Sequence, residues 1–532
     1  MNKNKPKTMR MIHLLAALSL TLSLALAGGC GEKEHALPPA PGKFVRYACE
    51  IGVRSEILRQ NVQIAVLLPE DYLSNPERRY GAVYLLHGLG DTHKSWNDQW
   101  LRIESTVAQC EAAGLGDMIY IMPTGFRSYY VDRIDGNFDY MKMFVEELVP
   151  YVDKTYRTLA DRGHRAVVGY SMGGFGAMIL PSCHPELFSV SVPLSMSFRT
   201  DEQYMSEPAS GWDSQWGAIF GGKGLAAEAR LTDYYKAHCP FYMFTAENAA
   251  KYAEVAYYLD CGDDEEQLLV ANDDLHRQLR EIGFAHEYRV RNGAHTGDYW
   301  RGAMPEALRF IDCRFNGHPF DAPARNSYTP HKATRRTAEL AGVQAQIFTP
   351  QDYDPQGSCT ALYLLHDGTL PLTPDECLNV LATTQNAKPF VLIAADASAA
   401  GFALEKFIAA AEDAFALGAD REHRLCIAAG EAGRTAYAAT GTNPTFKALF
   451  LLDAATDPSI APSPEVFYFI ALTDEGRNYE SANELYKRCH ADGIGFEYRV
   501  VDGTPADAGA AERCLEALRP TLGEKITLKQ TL

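Results

Sequence analysis

The chain has 532 residues, of which 22% are charged and 46% are hydrophobic, with 50 Lys and Arg against 68 Asp and Glu. This length predicts about two to four domains, and the composition is ordinary for a protein with large hydrophobic cores. The net charge of −18 argues against a protein whose main task is nucleic-acid binding. The sequence has no low-complexity or heptad repeats, which excludes a disordered or fibrous protein.

The first residues are typical of an export signal. Basic residues between Lys3 and Arg10 precede an apolar run over 14–27, and small residues stand directly before Cys30. This order resembles a bacterial lipoprotein signal, so residues 1–29 are predicted to be removed and Cys30 to be lipidated. We expect a lipid-anchored protein of the bacterial cell envelope, on the outer membrane and exposed at the surface. The alternative is an ordinary cleaved signal with an incidental cysteine.

Short apolar runs alternate with helix-like segments through residues 43–315, a pattern typical of a mostly parallel sheet with helices on both faces. Residues 144–156 carry large apolar side chains every four positions and predict an amphipathic helix. Proline-rich residues 316–338 predict a linker. The strands of this half are predicted near 62–68, 81–86, 118–122, 165–170, 188–193, 255–260 and 286–291.

The second half repeats the first in the same order. The tetrapeptide from Tyr84 recurs from Tyr363, and that from Glu287 recurs from Glu497. This indicates a duplicated unit whose second copy is shorter. The predicted fold is therefore α/β with two tandem domains, 43–315 and 339–522. The strands of the second domain are predicted near 343–349, 360–365, 389–395, 424–429, 447–452, 466–472 and 495–501.

A serine lies in a glycine-rich turn between a predicted strand and a predicted helix. Residues 169–174 read Gly-Tyr-Ser-Met-Gly-Gly and match the G-x-S-x-G pattern of a nucleophile elbow. The glycines permit a turn so tight that larger side chains would collide with neighbouring backbone. This context predicts that Ser171 is a nucleophile, and the alternative is a structural glycine-rich turn.

A serine nucleophile needs a base, an acid and an oxyanion site. His295 follows a late strand and is the predicted base, and the acid is expected in the acidic run 260–266. The predicted oxyanion donors are the backbone N–H groups of Met172 and Leu89, with Gly88 as the alternative to Leu89. The neighbouring His87 is interpreted as a structural hydrogen-bonding residue.

Motifs along the first half resemble the esterase D group of α/β-hydrolases, which includes S-formylglutathione hydrolases, feruloyl and acetyl-xylan esterases and mycolyltransferases. The resemblance covers about residues 43–315 and implies two tandem α/β-hydrolase-type domains. The residues that carry it are Tyr84 to Gly88, Met122 with Pro123, Ser128 to Asp132, the Ser171 elbow, Asp260 to Gly262, and His295 with Tyr299 and Trp300.

The resemblance implies an acid three residues after Gly262, which favours Glu265, with Asp264 as the alternative. Gly297 stands where the family often has a tryptophan, which predicts a wider pocket on the acyl side. Alignment of the copies places Ser171 on Gly430, His295 on Pro505 and Glu265 on Glu475. The second domain is therefore predicted to be catalytically inactive, and it also lacks much of a cap segment at about 200–250.

The sequence thus predicts an exported serine carboxylesterase that acts on acetyl or feruloyl esters of polysaccharide. We expect no cofactor, no metal and no nucleic-acid partner, because the motifs for them are absent from the sequence. The alternatives are a broad short-chain acyl esterase or peptidase on the same fold, and a non-catalytic glycan-binding surface lipoprotein. Aromatic side chains predicted to line the substrate pocket are Trp96, Tyr129, Tyr130 and Trp300.

Overall fold

The computed structural model describes residues 46–265, 267–354, 359–382 and 389–526. The predicted signal peptide 1–29 and Cys30 lie outside these ranges. The strands of the first half are β1 (Tyr47–Ser55), β2 (Gln60–Leu67), β3 (Gly81–Leu86), β4 (Met118–Pro123), β5 (Arg165–Tyr170), β6 (Val190–Leu194), β7 (Ala256–Gly262) and β8 (Glu287–Arg291). Those of the second half are β9 (Ala333–Leu340), β10 (Val343–Pro350), β11 (Thr360–His366), β12 (Phe390–Asp396), β13 (Arg424–Ala429), β14 (Ala448–Leu452), β15 (Phe467–Thr473) and β16 (Phe496–Val501).

These strands form one sheet in the order β1-β2-β4-β3-β5-β6-β7-β8-β16-β15-β14-β13-β11-β12-β10-β9. Both halves have the same strand order, and within each half the strands are parallel except at the two outer pairings. The halves meet where β8 and β16 pair antiparallel at Val290 and Val500. Because the sheet runs through this seam without a break, the domain limits 43–315 and 339–522 stay a prediction.

Helices cover both faces of the sheet, as predicted. Those of the first half are α1 (Ile103–Ala112), α2 (Tyr140–Met143), α3 (Val149–Thr155), α4 (Met172–Cys183), α5 (Asp201–Ser206), α6 (Ala209–Ser214), α7 (Trp216–Phe220), α8 (Asp233–Ala237), α9 (Pro240–Met243), α10 (Gln267–Glu281) and α11 (Gly297–Phe315). Those of the second half are α12 (Pro374–Leu381), α13 (Leu404–Ala414), α14 (Ala432–Ala438), α15 (Tyr479–Asp492) and α16 (Ala508–Ile526). Shorter π and 3₁₀ turns span Ser95–Gln99, Phe144–Leu148, Arg162–His164, Ala227–Arg230, Ala249–Lys251 and Arg421–His423.

The helix predicted over 144–156 is present as one helical run, in which the π turn Phe144–Leu148 joins α2 to α3. The cap expected at about 200–250 consists of α5 to α9 and lies between β6 and β7. The corresponding second-half connection, residues 453–466, contains no helix. No helix among the described ranges is both long and apolar enough to cross a bilayer.

Two strands were not expected, and both lie at the outer edges of the sheet. In β1 exposed residues alternate with partly or fully buried ones, and most residues of β9 are exposed, so neither strand carries the apolar run by which the inner strands are recognised. β9 also begins at Ala333, so the segment 333–338 of the predicted linker is in fact an edge strand. Its exposed arginines suit an edge, since charge discourages pairing with another chain.

The core explains why the halves hold together. On one face of the sheet a single hydrophobic cluster runs from the first half into the second and includes residues of α4, α10 and α15. On the other face each half has a cluster of its own, under α1 and α11 in the first half and under α12 and α16 in the second. The carboxyl edge of the first half's parallel strands carries the predicted site residues.

Candidate active site

Ser171 stands in a sharp turn between β5 and α4, with backbone φ of 58° and ψ of −120°. Such a conformation is costly for a residue with a side chain and persists only where the surroundings enforce it. A Cβ atom at Gly169 would lie 2.1 Å from the carbonyl oxygen of Gly173, and one at Gly173 would lie 2.1 Å from that of Leu86. The glycines of the motif therefore let three stretches of backbone touch, which fixes Ser171 at the edge of the sheet.

The structure brings Ser171, His295 and Glu265 into one hydrogen-bonded chain. The Oγ of Ser171 lies 2.9 Å from Nε2 of His295, and Nδ1 of His295 lies 2.7 Å from Oε2 of Glu265. His295 belongs to the loop between β8 and α11, and Glu265 follows β7. The Glu265 side chain is fully buried, whereas that of His295 is 38% exposed. The imidazole of His295 is thus partly open to solvent, whereas the carboxylate end of the hydrogen-bonded chain is enclosed.

The environment of Glu265 fixes both of its carboxylate oxygens. Oε1 accepts hydrogen bonds from the hydroxyl of Ser195 and, at 3.0 Å, from the backbone N–H of Gly262. Ser195 in turn accepts a hydrogen bond of 2.8 Å from the indole N–H of Trp300, whose ring packs edge-on against His295. The carboxylate is therefore oriented before any substrate arrives.

The other acidic residues nearby have different surroundings. Asp264, the alternative acid, is exposed to solvent, and the nitrogen Nδ1 of His295 is already bonded to Glu265. The alternative acid Asp264 therefore does not occupy this position in the structure, because the carboxylate hydrogen-bonded to Nδ1 of His295 is that of Glu265. Asp260 is fully buried beside Arg291, with which it forms an ion pair of 2.7 Å.

The predicted oxyanion donors lie on two neighbouring elements. Met172 is the first residue of α4, and the first N–H groups of a helix have no acceptor within the helix. Gly88 and Leu89 line the same cleft as Ser171, in the loop that follows β3. The predicted donor positions thus lie next to Ser171 in sequence or in the same cleft, and the oxyanion site, with the choice between Leu89 and Gly88, stays a prediction.

The first half of the chain is similar to known proteins. Residues 55–311 match the family described as "Putative esterase". The N-terminal half is an esterase-family domain. The chain is 30% identical over 132 residues to an endo-1,4-beta-xylanase/feruloyl esterase of Xylanibacter ruminicola, covering 23% of this chain and 18% of that protein.

Two further proteins are similar to part of this chain. Over 122 residues the chain is 33% identical to Esterase Rv1288 of Mycobacterium tuberculosis, covering 22% of this chain and 25% of that protein. A solved ferulic acid esterase matches with a TM-score of 0.42 and 26% identity, over 50% of this chain and 98% of that one. The matched segments thus span a quarter or less of the lengths of these two curated relatives.

The cleft of the esterase domain differs from the predicted pocket. It has a volume of about 380 Å³ and is lined by Gly88, Leu89, Asp91, Trp100, Tyr170, Ser171, His295, Thr296, Gly297 and Trp300. Of the predicted aromatic side chains, only Trp300 is among these residues.

The prediction that Trp96, Tyr129 and Tyr130 line the pocket is wrong, because each residue is at most 1% exposed and belongs to the core. The ring of Trp96 packs on Tyr170, and the ring of Tyr130 packs on Tyr140. Aromatic residues near the motif were thus mistaken for pocket residues, since sequence alone does not separate a core ring from a lining ring.

Besides Trp300, the aromatic residues that line the cleft are Tyr170 and Trp100, of which Trp100 is 53% exposed. Its backbone carbonyl accepts a hydrogen bond of 2.7 Å from Arg301. A Cβ atom at Gly297 would lie 2.7 Å from Cβ of Trp100. Trp100 therefore packs directly against Gly297, and the wider pocket on the acyl side stays a prediction.

The second half has lost all three residues of the hydrogen-bonded chain. Gly430 occupies the position of Ser171 and keeps its positive φ, at 60°. The N–H of Gly476 donates to Thr473 as the N–H of Glu265 donates to Gly262. Glu265 thus corresponds to Gly476 and not to Glu475 as predicted.

A carboxylate fills the space beside Gly430. Oδ2 of Asp367 accepts a hydrogen bond of 2.7 Å from the N–H of Glu431, the residue that corresponds to Met172. A Cβ atom at position 430 would lie 2.4 Å from this oxygen. An anion already bound to the N–H group leaves no room there for a substrate oxyanion.

His87 supports the oxyanion loop and does not reach Ser171. It is fully buried, its Nδ1 lies 2.8 Å from the carbonyl oxygen of Gly88, and its Nε2 accepts the N–H of Gly125 at 2.7 Å. These partners require a neutral ring that carries its proton on Nδ1. The ring therefore ties the loop after β3 to the loop after β4, the structural role expected for it.

We expect His87 to make stability depend on pH. Burial lowers the pKa of His87 from 6.5 to about 4, so the folded protein keeps the ring neutral while the unfolded chain protonates it. The contribution of His87 to the free energy of unfolding is present above the unfolded-state pKa of about 6.5. At about pH 5 the free energy of unfolding is lower by about 2 kcal/mol. Urea unfolding at about pH 7.5 and about pH 5 should show this loss, and His87→Gln should reduce it. Equal losses in both proteins would contradict the assignment.

Proposed function

We propose that this protein is an exported serine carboxylesterase that hydrolyses acyl esters, acetyl or feruloyl, on polysaccharide. The observation that carries the proposal is the hydrogen-bonded chain from Ser171 through His295 to the buried Glu265. A buried carboxylate, an imidazole and a serine in this order are the parts of a general-base-activated nucleophile.

In the proposed reaction, Nε2 of His295 takes the proton of Ser171 as its Oγ attacks the ester carbonyl carbon. The tetrahedral oxyanion is held by N–H groups at Met172 and Leu89. His295 then gives its proton to the leaving alcohol, and an acyl-enzyme remains on Ser171. Water attacks the acyl-enzyme by the same route and releases the acid. Throughout, Glu265 keeps the proton of His295 on Nδ1 and stabilises the imidazolium.

The substrate class is inferred from the cleft and from the relatives. The cleft is partly open to solvent, and the exposed Trp100 is one of its lining residues. An exposed ring of this kind suits stacking on a sugar or on a phenolic acid. The similar Xylanibacter ruminicola protein is named an endo-1,4-beta-xylanase/feruloyl esterase, which supports a plant cell-wall ester as the substrate.

The test is hydrolysis of a substrate panel by the purified protein. The panel contains p-nitrophenyl acetate, p-nitrophenyl butyrate, methyl ferulate, acetylated xylan and a peptide amide. We expect the esters to be hydrolysed and the amide to be left intact, and the highest kcat/KM should be found for acetyl or feruloyl esters. Absence of hydrolysis of every ester would overturn the proposal and leave the glycan-binding alternative, which a xylan-binding assay would then test.

Trp100→Ala is expected to separate substrate binding from chemistry. Loss of the ring should lower kcat/KM for methyl ferulate about tenfold, while p-nitrophenyl acetate, whose acyl group carries no ring, changes less than about twofold. Leu73→Ala is the matched control, because Leu73 is 62% exposed and does not line the cleft. Equal losses on both substrates would show that Trp100 has no part in selecting the acyl group.

The proposal of a lipid anchor on Cys30 has its own test. Expressed in a Gram-negative host with radiolabelled palmitate, the protein should incorporate label and sediment with the outer membrane. Cys30→Ser should abolish labelling and sedimentation with the outer membrane. Equal labelling of both proteins would contradict lipidation at this cysteine.

A further inference from the structure

The seam between the halves lies beside the candidate active site. Where β8 pairs with β16, an aspartate of each half reaches across to an arginine of the other half. Asp263 of the first half forms an ion pair with Arg499, and Asp474 of the second half forms one with Arg289 at 3.4 Å. The two pairs are related by the same repeat that relates the two halves.

Asp263 links three backbone segments. Its Oδ1 accepts a hydrogen bond of 3.0 Å from the N–H of Gly293. Its Oδ2 accepts one of 3.3 Å from the N–H of Tyr498 and a charged one from Arg499. The first contact joins the loop after β7 to the loop after β8, and the other two join both loops to the second half.

These two loops carry the proposed acid and base. Glu265 is two residues beyond Asp263, and His295 is two residues beyond Gly293. The loops also touch directly, since the carbonyl of Gly293 accepts the N–H of Asp264 at 3.1 Å. The loop after β7 and the loop after β8 are thus bonded to each other close to Glu265 and His295. A shift of one loop therefore changes the distance between these two side chains.

The pair Asp263–Arg499 is almost completely enclosed, with 3% and 5% of the two side chains exposed. Burial raises the pKa of Asp263 to about 6, and the charge of Arg499 opposes that rise. An enclosed carboxylate that loses its cation is left uncompensated and has to move or take up a proton. Arg499 therefore controls whether Asp263 can hold both loops as a carboxylate.

We propose that Arg499, a residue of the half without the serine, is a positioning residue for the proposed ester hydrolysis, acting through Asp263 on the loops of Glu265 and His295. This inference rests on the proposed function. The second half then serves as a permanently attached partner that completes the geometry of the active half. It does so without contributing a group that touches the substrate.

The second half offers a matched control. Oδ1 of Asp474 accepts the N–H of Gly503 at 2.9 Å, as Asp263 accepts that of Gly293. Its loops carry Gly476 and Pro505 in place of the acid and the base. Asp474→Asn therefore removes the corresponding carboxylate of the seam, whose backbone contact is with a loop of the second half and not with the loops of Glu265 and His295.

The experiment measures kcat, KM and the urea midpoint for the full chain and for four variants: Asp263→Asn, Arg499→Met, Arg499→Lys and Asp474→Asn. With p-nitrophenyl acetate, kcat should fall about 10- to 100-fold in Asp263→Asn and Arg499→Met, with KM changed less than about threefold. Arg499→Lys should recover a large part of the loss. Asp474→Asn should lower the urea midpoint but keep kcat within about twofold of the unmodified protein.

Two outcomes would overturn the inference. One is a kcat within about twofold of the unmodified protein in Asp263→Asn and Arg499→Met. The other is an equal loss of kcat in Asp474→Asn, which would mean that any change at the seam lowers kcat and that the contact between Asp263 and Arg499 has no special part in it. Asp263→Asn keeps the number of heavy atoms in the side chain, so it tests the inference even where Arg499→Met does not fold.

A second measurement does not need turnover. The proton between Nδ1 of His295 and Glu265 should give a low-field proton resonance, which Asp263→Asn and Arg499→Met should shift or remove and Asp474→Asn should retain. If the unmodified protein hydrolyses no ester, the proposed function fails, and this resonance still tests the positioning. An unchanged resonance in all variants would overturn the inference by itself.

Discussion

Ser171→Ala is expected to lower kcat/KM for p-nitrophenyl acetate at least about 10⁴-fold, the largest effect of any single substitution in the chain. The hydroxyl is the only group of the hydrogen-bonded chain that can form the acyl-enzyme, and alanine offers no atom to replace it. The substitution removes one oxygen and leaves the strained turn in place, because the glycine contacts around it are unchanged. The urea midpoint should therefore stay within experimental error of that of the unmodified protein.

The same variant separates nucleophilic attack from simple binding. A fluorophosphonate reagent should add one phosphonyl group to the unmodified protein and none to Ser171→Ala, as measured by intact mass. Rapid hydrolysis by Ser171→Ala would mean that another nucleophile does the chemistry. Loss of labelling with unchanged ester hydrolysis would likewise show that Ser171 is reactive but is not the group that turns over substrate.

Predictions from local motifs agree best with the structure. The elbow at Ser171 depends on a short sequence whose glycines are dictated by backbone contacts, so its conformation could be read without knowing the rest of the fold. The inner strands were found for a similar reason, because a strand buried on both faces needs a continuous apolar run. The edge strands β1 and β9 lack that run and escaped detection.

The choice of acid could not be made from local sequence. Several acidic residues follow β7, and any of them could reach a histidine in an extended chain. What distinguishes Glu265 is its contact with Ser195 and Gly262, two groups brought together only by the pairing of neighbouring strands. The resemblance to a known family favoured Glu265, and the hydrogen-bond pattern explains why that position is buried.

The contact between the two halves could not be predicted from the sequence for the same reason. Repeated motifs indicated two related halves, but they gave no sign that β8 and β16 would pair and place Arg499 beside Asp263. Charged residues on a predicted strand indicate a face that is exposed to solvent. They are buried here because each meets an opposite charge from the other half, which is a property of the assembled sheet.

Glu265→Gln is expected to lower kcat about 10³- to 10⁴-fold. The amide of glutamine has one acceptor and one donor end. The Oε1 position is bonded to the N–H of Gly262, which can only donate, so the oxygen of the amide must stay there. Its NH₂ then faces Nδ1 of His295, which must become an acceptor and move its proton to Nε2. In that tautomer His295 cannot take the proton of Ser171.

Asp264→Asn is the matched control, since it makes the same change of charge one residue away on an exposed side chain. Its kcat should stay within about twofold of that of the unmodified protein. Comparison of kcat at about pH 7 and about pH 9 distinguishes the causes, because hydroxide as the base should recover part of the Glu265→Gln loss when the tautomer is at fault. Equal losses in the two variants would mean that net charge near His295 matters and that the hydrogen bond to Glu265 does not.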